Sequence, residues 1–423
     1  MKSFWTTRYT LINVTYFVAF CTIHAMAAVY LLDKGFNNTE IGILLALANI
    51  LSAVFQPLIA SVIDRQGYLT NRRFILIAVT VIMVGSLVLM LSGNNKPLSF
   101  AVYVLIYMIQ FAYMPVMTAL CFEYQKAGCN IYYGLARGLG SASFAVTSFF
   151  VGRAIEKSGV NILLIINVIT MILSAIIVFT FKKPDECAKK AVSESSGDEM
   201  SETAGDLEIK TGQEKVVGTG KTQRGIKDFA KSYPMFVLFL VGTVCFYFAH
   251  NMINDFMIQI IKSLGGGETE LGYSNFLQAI LELPVMAVIG FFLKKISSGK
   301  MLIFSGFAFF VKILILVFAT NMAMMYLSQS FQLFAYAVFI PAAAYYVSSH
   351  MSENDQVKGQ AFVTSAITLG GVFSNLISGV ILDNAGIREM LITGSAVCLV
   401  GVIIAFIALS RSEKADKAVQ TAE

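Results

Sequence analysis

Twelve apolar segments follow one another along this 423-residue chain, six on either side of a single long polar stretch, Lys182 to Ser232. A helix needs about 20 apolar residues to cross the hydrocarbon core of a bilayer, and runs of that length exceed what a buried soluble helix uses. The spans read 10–32, 39–63, 74–93, 99–123, 133–156 and 161–181, then 234–261, 271–293, 301–319, 322–348, 359–383 and 388–410. In lipid each backbone polar group must be satisfied within its own segment, so such spans are helices. The pattern predicts an all-α integral membrane protein of twelve transmembrane helices in two six-helix bundles. Residues 1–181 form the first bundle, 182–232 a linker, 233–411 the second bundle and 412–423 a tail. Only 13% of residues are charged and 57% are hydrophobic, where soluble proteins carry about 25% charge. A soluble enzyme is excluded.

Charge sets the expected orientation. With the N-terminus inside, the short cytoplasmic segments hold Lys2, Arg8, Arg65, Arg72, Arg73, Lys126, Lys294, Lys295, Lys300, Lys358, Arg411, Lys414 and Lys417. The opposite side holds only Lys34, Lys96, Arg153, Lys157, Lys262 and Arg388. This asymmetry places both termini and the polar stretch in the cytoplasm of a multi-pass cell-membrane protein. The stretch has almost no aromatic residues before Phe229, so it is expected to be a disordered tether. Cysteines are scattered in apolar runs (Cys21, Cys121, Cys245, Cys398) without metal-ligand spacing. The first span is too long and uninterrupted for a cleavable signal peptide. No Walker motif, nucleophile elbow or zinc pattern occurs, so neither ATP-driven pumping nor hydrolysis is expected, and no cofactor or metal is called for.

The halves echo each other. Gly152-Arg153-Ala154-Ile155-Glu156-Lys157-Ser158-Gly159 closes the fifth span, and Gly379-Val380-Ile381-Leu382-Asp383-Asn384-Ala385-Gly386 closes the eleventh. Both set glycines seven apart with an acid in the last turn, as duplicated six-helix repeats do. Glycines 134 to 140 and Gly370-Gly371 would let helices approach closely.

Charges and amides inside the spans are functional candidates, because a charge in lipid costs several kcal/mol unless paired or hydrated. Glu282 lies near the middle of the eighth span, suited to taking up and releasing a proton. Lys312 on the ninth is its counter-charge, in a pair either switched during transport or static. On the seventh, Asn251, Asn254 and Asp255 share a face, with His250 on a neighbouring one; Asp255 either joins the coupling groups or sits near the outer mouth. His24, Gln110, Tyr113, Asn275, Gln278, Gln329 and Gln332 are expected to line the same cavity. Neutral amides and phenols suit a polyhydroxylated or nucleoside-like solute. Arg137, one turn into the fifth span, either offers a bidentate fork to a hydroxyl pair or carboxylate or snorkels to the surface.

Between the second and third spans the chain reads Phe55-Gln56-Pro57-Leu58-Ile59-Ala60-Ser61-Val62-Ile63-Asp64-Arg65-Gln66-Gly67, then Arg72-Arg73. This resembles the Asp-Arg-x-Gly loop of the major facilitator superfamily, and it implies a gating role for Asp64, Arg65, Gly67, Arg72 and Arg73. Within the superfamily the chain is similar, thinly but over nearly its whole length, to the lactose permease branch with its oligosaccharide and nucleoside relatives. Tyr133-Gly134-Leu135-Ala136-Arg137-Gly138-Leu139-Gly140 resembles that branch's Phe-Gly-Arg-Ala-Arg-Met-Phe-Gly, whose second arginine binds sugar and falls on Arg137. Val311-Lys312-Ile313 with Phe318-Ala319-Thr320 resembles Val-Arg-Ile with Phe-Ala-Thr, which sets Lys312 in the coupling machinery. The permease's acidic partner to the sugar-binding arginine falls on Ala119, one turn from Glu123. Its Lys, His and Glu on the tenth helix fall on Gln329, Gln332 and Ala335, and its two aspartates on the seventh fall near Phe248 and Asn251.

The resemblance implies the major facilitator fold and secondary active transport. The reading is proton-coupled symport (uptake) of a small organic solute such as a sugar, oligosaccharide or nucleoside, by alternating access. Proton-driven drug or metabolite efflux is the alternative, and a non-transporting membrane sensor the alternative of another class. The partners expected are the solute, protons and the lipid bilayer, with no nucleic acid and the monomer as the unit.

Overall fold

A computed structural model describes residues 2–65, 68–93, 95–183, 226–293 and 295–420. Most of the polar stretch, 184–225, lies outside them, as do Gly67 and Lys294. The described chain is helical throughout its spans. We number the spans α1 (Lys2–Phe20, a π-helical turn Cys21–Ala25, then Ala27–Asp33), α2 (Asn38–Asp64), α3 (Asn71–Leu91), α4 (Lys96–Lys126), α5 (Tyr133–Ser158) and α6 (Ile162–Thr180). The second half holds α7 (Pro234–Asp255, then Met257–Ser263), α8 (Glu268–Leu293), α9 (Ser298–Val317), α10 (Met322–Ser330, a tight turn Phe331–Leu333, then Tyr336–His350), α11 (Glu353–Asn384) and α12 (Ile387–Gln420). Two expectations change at the edges. Ile226–Ser232, placed in the linker, forms a short helix, and α12 runs on through most of the expected tail.

Ten of these helices are long and apolar enough to cross a bilayer, and α1, bent by 51°, makes an eleventh. The twelfth, α8, has 26 residues, about 39 Å at 1.5 Å each. Large apolar side chains such as Leu58, Phe150, Ile176, Phe291 and Phe406 stand more than half exposed around the outside. Water does not tolerate such a belt, whereas lipid requires it.

The two halves are built alike. In the first, α1 packs on α5 and α6, α3 on α4 and α6, and α2 on α4; in the second, α7 packs on α11 and α12, α9 on α10 and α12, and α8 on α10. Interior prolines fall in corresponding helices: Pro57 of α2 and Pro284 of α8, Pro115 of α4 and Pro341 of α10. Even the breaks match. Met26 interrupts α1 at φ −109°, ψ 15°, and Phe256 interrupts α7 at φ −114°, ψ 23°. A seven-residue helix follows each break.

The halves meet along two crossings, α2 with α11 and α5 with α8. Glycines make both possible. A methyl group on Gly42 would strike the Asn375 carbonyl oxygen, and one on Gly379 that of Asn38. The same holds for Gly152 against Glu268 and Gly272 against Ser148. Gly370 lies against the Val244 carbonyl and Gly140 against Phe17, as close approach demands; Gly134 and Gly138 face open space. Both crossings lie toward the end where α2 and α8 begin, away from the chain termini. We call this the latched end and the other the terminal end.

Candidate functional site

Two helices of the second half bring charge to mid-span, and a third brings the amide between them. Lys312 of α9 is fully buried. Its Nζ donates to Oε1 of Gln332 at 2.7 Å, and Gln332 Nε2 donates to Oε1 of Glu282 at 2.8 Å. The expected direct Glu282–Lys312 pair is therefore a chain relayed by Gln332, although each charge still acts electrostatically on the other. The tight turn Phe331–Leu333 that interrupts α10 carries Gln332. Ser328 ties that helix to α9 by donating to the Lys312 carbonyl at 2.7 Å. Opposite charges joined through one amide satisfy each other in lipid, where a lone charge would not persist.

His250 extends this polar region from α7. Its ring stacks on Tyr336 with centroids 5.4 Å apart, and Nε2 lies 2.9 Å from the Asn254 amide. The sequence sets His250 on a face neighbouring that of Asn254, and their i, i+4 spacing brings the two side chains together. Asn251 turns away, donating to the Tyr247 carbonyl and lying beside Gly371 of α11. Asp255 faces Asn375 of α11 and also acts electrostatically on Tyr107 in the first half.

The first half contributes one half-buried cation, a turn into α5. The Arg137 guanidinium lies 4.3 Å from the centre of the Phe17 ring, and its Nη1 donates to Ser141 at 2.9 Å. Ser141 is one turn farther from the terminal end, so the side chain reaches inward along α5 and does not snorkel outward. Its charge is felt by the hydroxyls of Tyr16 in the same half and Tyr336 in the other. No described carboxylate pairs with it. Glu123, the nearest acid in sequence terms, is held instead by Lys183 at 2.6 Å and Asn71 at 2.9 Å.

His24 sits in the π-helical turn of α1, a distortion that often marks functional positions. Phe20, Tyr107 and Phe111 surround its ring at 4.1, 3.8 and 4.7 Å. Its ring and the amide of the buried Gln110 lie beside each other, and neither makes a hydrogen bond of good geometry. Buried atoms without partners include Nδ1 of His250, Oδ1 of Asn254, Nδ2 of Asn275, Oε1 of Gln329 and Oγ of Ser378. Such groups are rare in a finished core. Here they gather on α1, α4, α7, α8, α10 and α11. Gln278 of α8 is buried as well.

One expectation is corrected. Tyr113 directs its hydroxyl to Ser174 of α6 at 3.2 Å and is fully buried within the first half, so it packs that bundle. The residues expected to gate are not brought together in this conformation, which neither supports nor contradicts a gating role. Arg72 caps the end of α6 through the carbonyls of Val178 and Phe179, at 3.0 and 2.5 Å, and Arg73 bonds the Tyr68 carbonyl at 2.6 Å. Asp64 and Arg65 make no ion pair or side-chain hydrogen bond among the described residues; Gly67 is outside them. The reason is physical: α2 and α11 cross at the latched end, so the loop at the terminal end has no described partner across the interface.

The residues that join the halves were missed in the sequence. Asp383 of α11 accepts from the backbone N–H groups of Asn38 and Thr39 at 3.2 and 2.7 Å and from Nδ2 of Asn38 at 2.8 Å. Glu156 of α5 accepts from the Thr269 N–H at 3.0 Å and its hydroxyl at 2.7 Å. The available signal was a short repeat, Asn38-Thr39-Glu40-Ile41-Gly42 and Glu268-Thr269-Glu270-Leu271-Gly272.

The model of the MFS_1 like family matches residues 9–392. The sucrose permease of Escherichia coli is 21% identical over 422 residues, covering 94% of this chain and 92% of that one. Among solved structures, the nucleoside transporter NupG superposes with a TM-score of 0.74 at 15% identity, over 96% of this chain and 98% of its own. A bacterial homolog of the human lysosomal transporter Spinster, in an inward-facing and unoccupied conformation, gives 0.65 at 12% identity, over 97% of each chain. The chain belongs to the MFS_1 like family: it is a multi-pass membrane transporter of the major facilitator type and not an enzyme.

Proposed function

We propose that the protein takes up a sugar or nucleoside by proton symport, through alternating access around the space between its halves. The observation that supports this reading is Arg137: a half-buried guanidinium whose charge reaches Tyr16 in its own half and Tyr336 in the other, with no described carboxylate partner. A solute rich in hydroxyls, or bearing a base edge, supplies acceptors for the guanidinium. The similarity to a sucrose permease and the likeness to a nucleoside transporter support the same solute classes. Glu282 is the proton carrier in this account and Lys312 its counter-charge, with Gln332 between them. Asp255, across from Asn375, is a second coupling candidate. The terminal end faces the cytoplasm by the distribution of Lys and Arg, and the polar stretch tethers the two moving halves.

The test is accumulation in proteoliposomes under an imposed proton gradient, with a panel of radiolabelled sugars and nucleosides. Accumulation of one class, abolished by a protonophore, is expected. Gradient-driven extrusion would favour efflux, and absence of any flux would favour a sensor; either result would overturn the proposal.

A further inference from the structure

The two contacts at the latched end are the same device used twice. In each, a carboxylate in the last turn of one helix reaches across the interface to the first turn of a helix in the other half. Asp383 of α11 takes the N–H groups of Asn38 and Thr39 at the start of α2; Glu156 of α5 takes the N–H of Thr269 at the start of α8. The first N–H groups of a helix have no partner inside it, and a carboxylate there also meets the positive end of the helix dipole. Helices ordinarily take this cap from the residue just before them. The α2 start has such a local box as well, between Asn37 and Glu40, and Gly267 donates to Glu270 at 2.7 Å at the α8 start. The acids of the opposite half complete the caps. Behind each, the paired glycines set the helices close enough for the carboxylate to reach.

We infer that Glu156 and Asp383 are interdomain latches that hold this end shut, and that both must be released for the end to open. Six interdomain hydrogen bonds lie at this end: five go to these two carboxylates, and the sixth joins Gln259 to the Asn38 side chain at 2.9 Å. Glu156 and Asp383 are exposed. On opening, water therefore replaces the protein partner on both sides, so the latch is breakable where a buried ion pair would not be. The two are unequal. Asp383 accepts three hydrogen bonds and Glu156 two, so the α5–α8 contact is the weaker and releases first.

The consequence for transport rests on the alternating-access reading, but the latch itself can be tested without a solute. Spin labels at Lys157→Cys in the first half and Ala385→Cys in the second, in an otherwise cysteine-free chain, report the separation of the halves by pulsed dipolar spectroscopy. Loss of one cap weakens closure by about fivefold and loss of both by roughly 25-fold, at the usual size of a capping interaction. Glu156→Ala with Asp383→Ala should accordingly enlarge the widely spaced population, Asp383→Ala alone more than Glu156→Ala alone. Glu156→Gln with Asp383→Asn, which keeps an acceptor oxygen, should shift it less and serves where the alanine pair folds poorly. An unchanged distance distribution in both double variants would overturn the latch. A shift without any solute transport would uphold it and contradict the transport reading instead.

Discussion

The halves share a backbone plan down to the breaks at Met26 and Phe256, yet they treat charge differently. In the second half the charges at mid-span are joined through a neutral amide: Lys312 to Gln332, and Gln332 to Glu282. In the first half Arg137 is held, among the described residues, by Ser141 and the Phe17 ring. A charge already inside a hydrogen-bonded chain can exchange protons and partners within the protein. One left without an acid is available to a ligand. In the function we propose, the duplicated scaffold separates two tasks, with solute binding led from the first half and coupling from the second.

That division can be broken most severely at Lys312. Lys312→Met strips the chain of its buried cation and leaves Glu282 uncompensated, which should cost about 3 kcal/mol or more, read as a drop in thermal stability in detergent. The double variant with Glu282→Gln should recover most of it; no recovery would show that the two charges do not depend on each other. Next comes Arg137→Ala. Loss of charge-assisted hydrogen bonds to the solute should weaken its binding by about 10- to 100-fold, with thermal stability almost unchanged, and Arg137→Lys should restore only part because the planar fork is gone. Gln332→Leu should separate Lys312 from Glu282 at a cost of about 1–2 kcal/mol in stability while leaving solute affinity near wild type. Ser141→Ala, which only orients the guanidinium, should change affinity by no more than about fivefold, for a hydrogen bond of about 1 kcal/mol.

Much of the scaffold was legible in the sequence, because lipid allows so few ways of satisfying a backbone. Twelve spans, their order and the duplicated ends of α5 and α11 follow from apolar length and glycine spacing. The partners of those ends did not. The acids at 156 and 383 are visible as a repeat, but only the crossing of α5 with α8 and α11 with α2 reveals which helix start each one caps. Gln332 was legible as a polar residue in the right helix, whereas its position between Lys312 and Glu282 depends on the turn that breaks α10. Periodicity also misplaced Tyr113, since a phenol on α4 can face its own bundle as easily as the other. Asp64 resembles a gate by its motif, and in this conformation, with the opposite end latched, the terminal end offers it no described partner that would test the role.

The division of labour stands or falls on Glu282. In proteoliposomes, solute exchange at equal concentrations requires binding and alternation but no net proton movement, whereas accumulation against a gradient requires coupling. Measuring both in Glu282→Gln separates the two tasks directly. The account predicts exchange close to wild type, because Arg137 and the first half are intact, with gradient-driven accumulation lost. Accumulation that matched wild type would remove Glu282 from coupling, and loss of exchange together with accumulation would contradict the separation of the two halves.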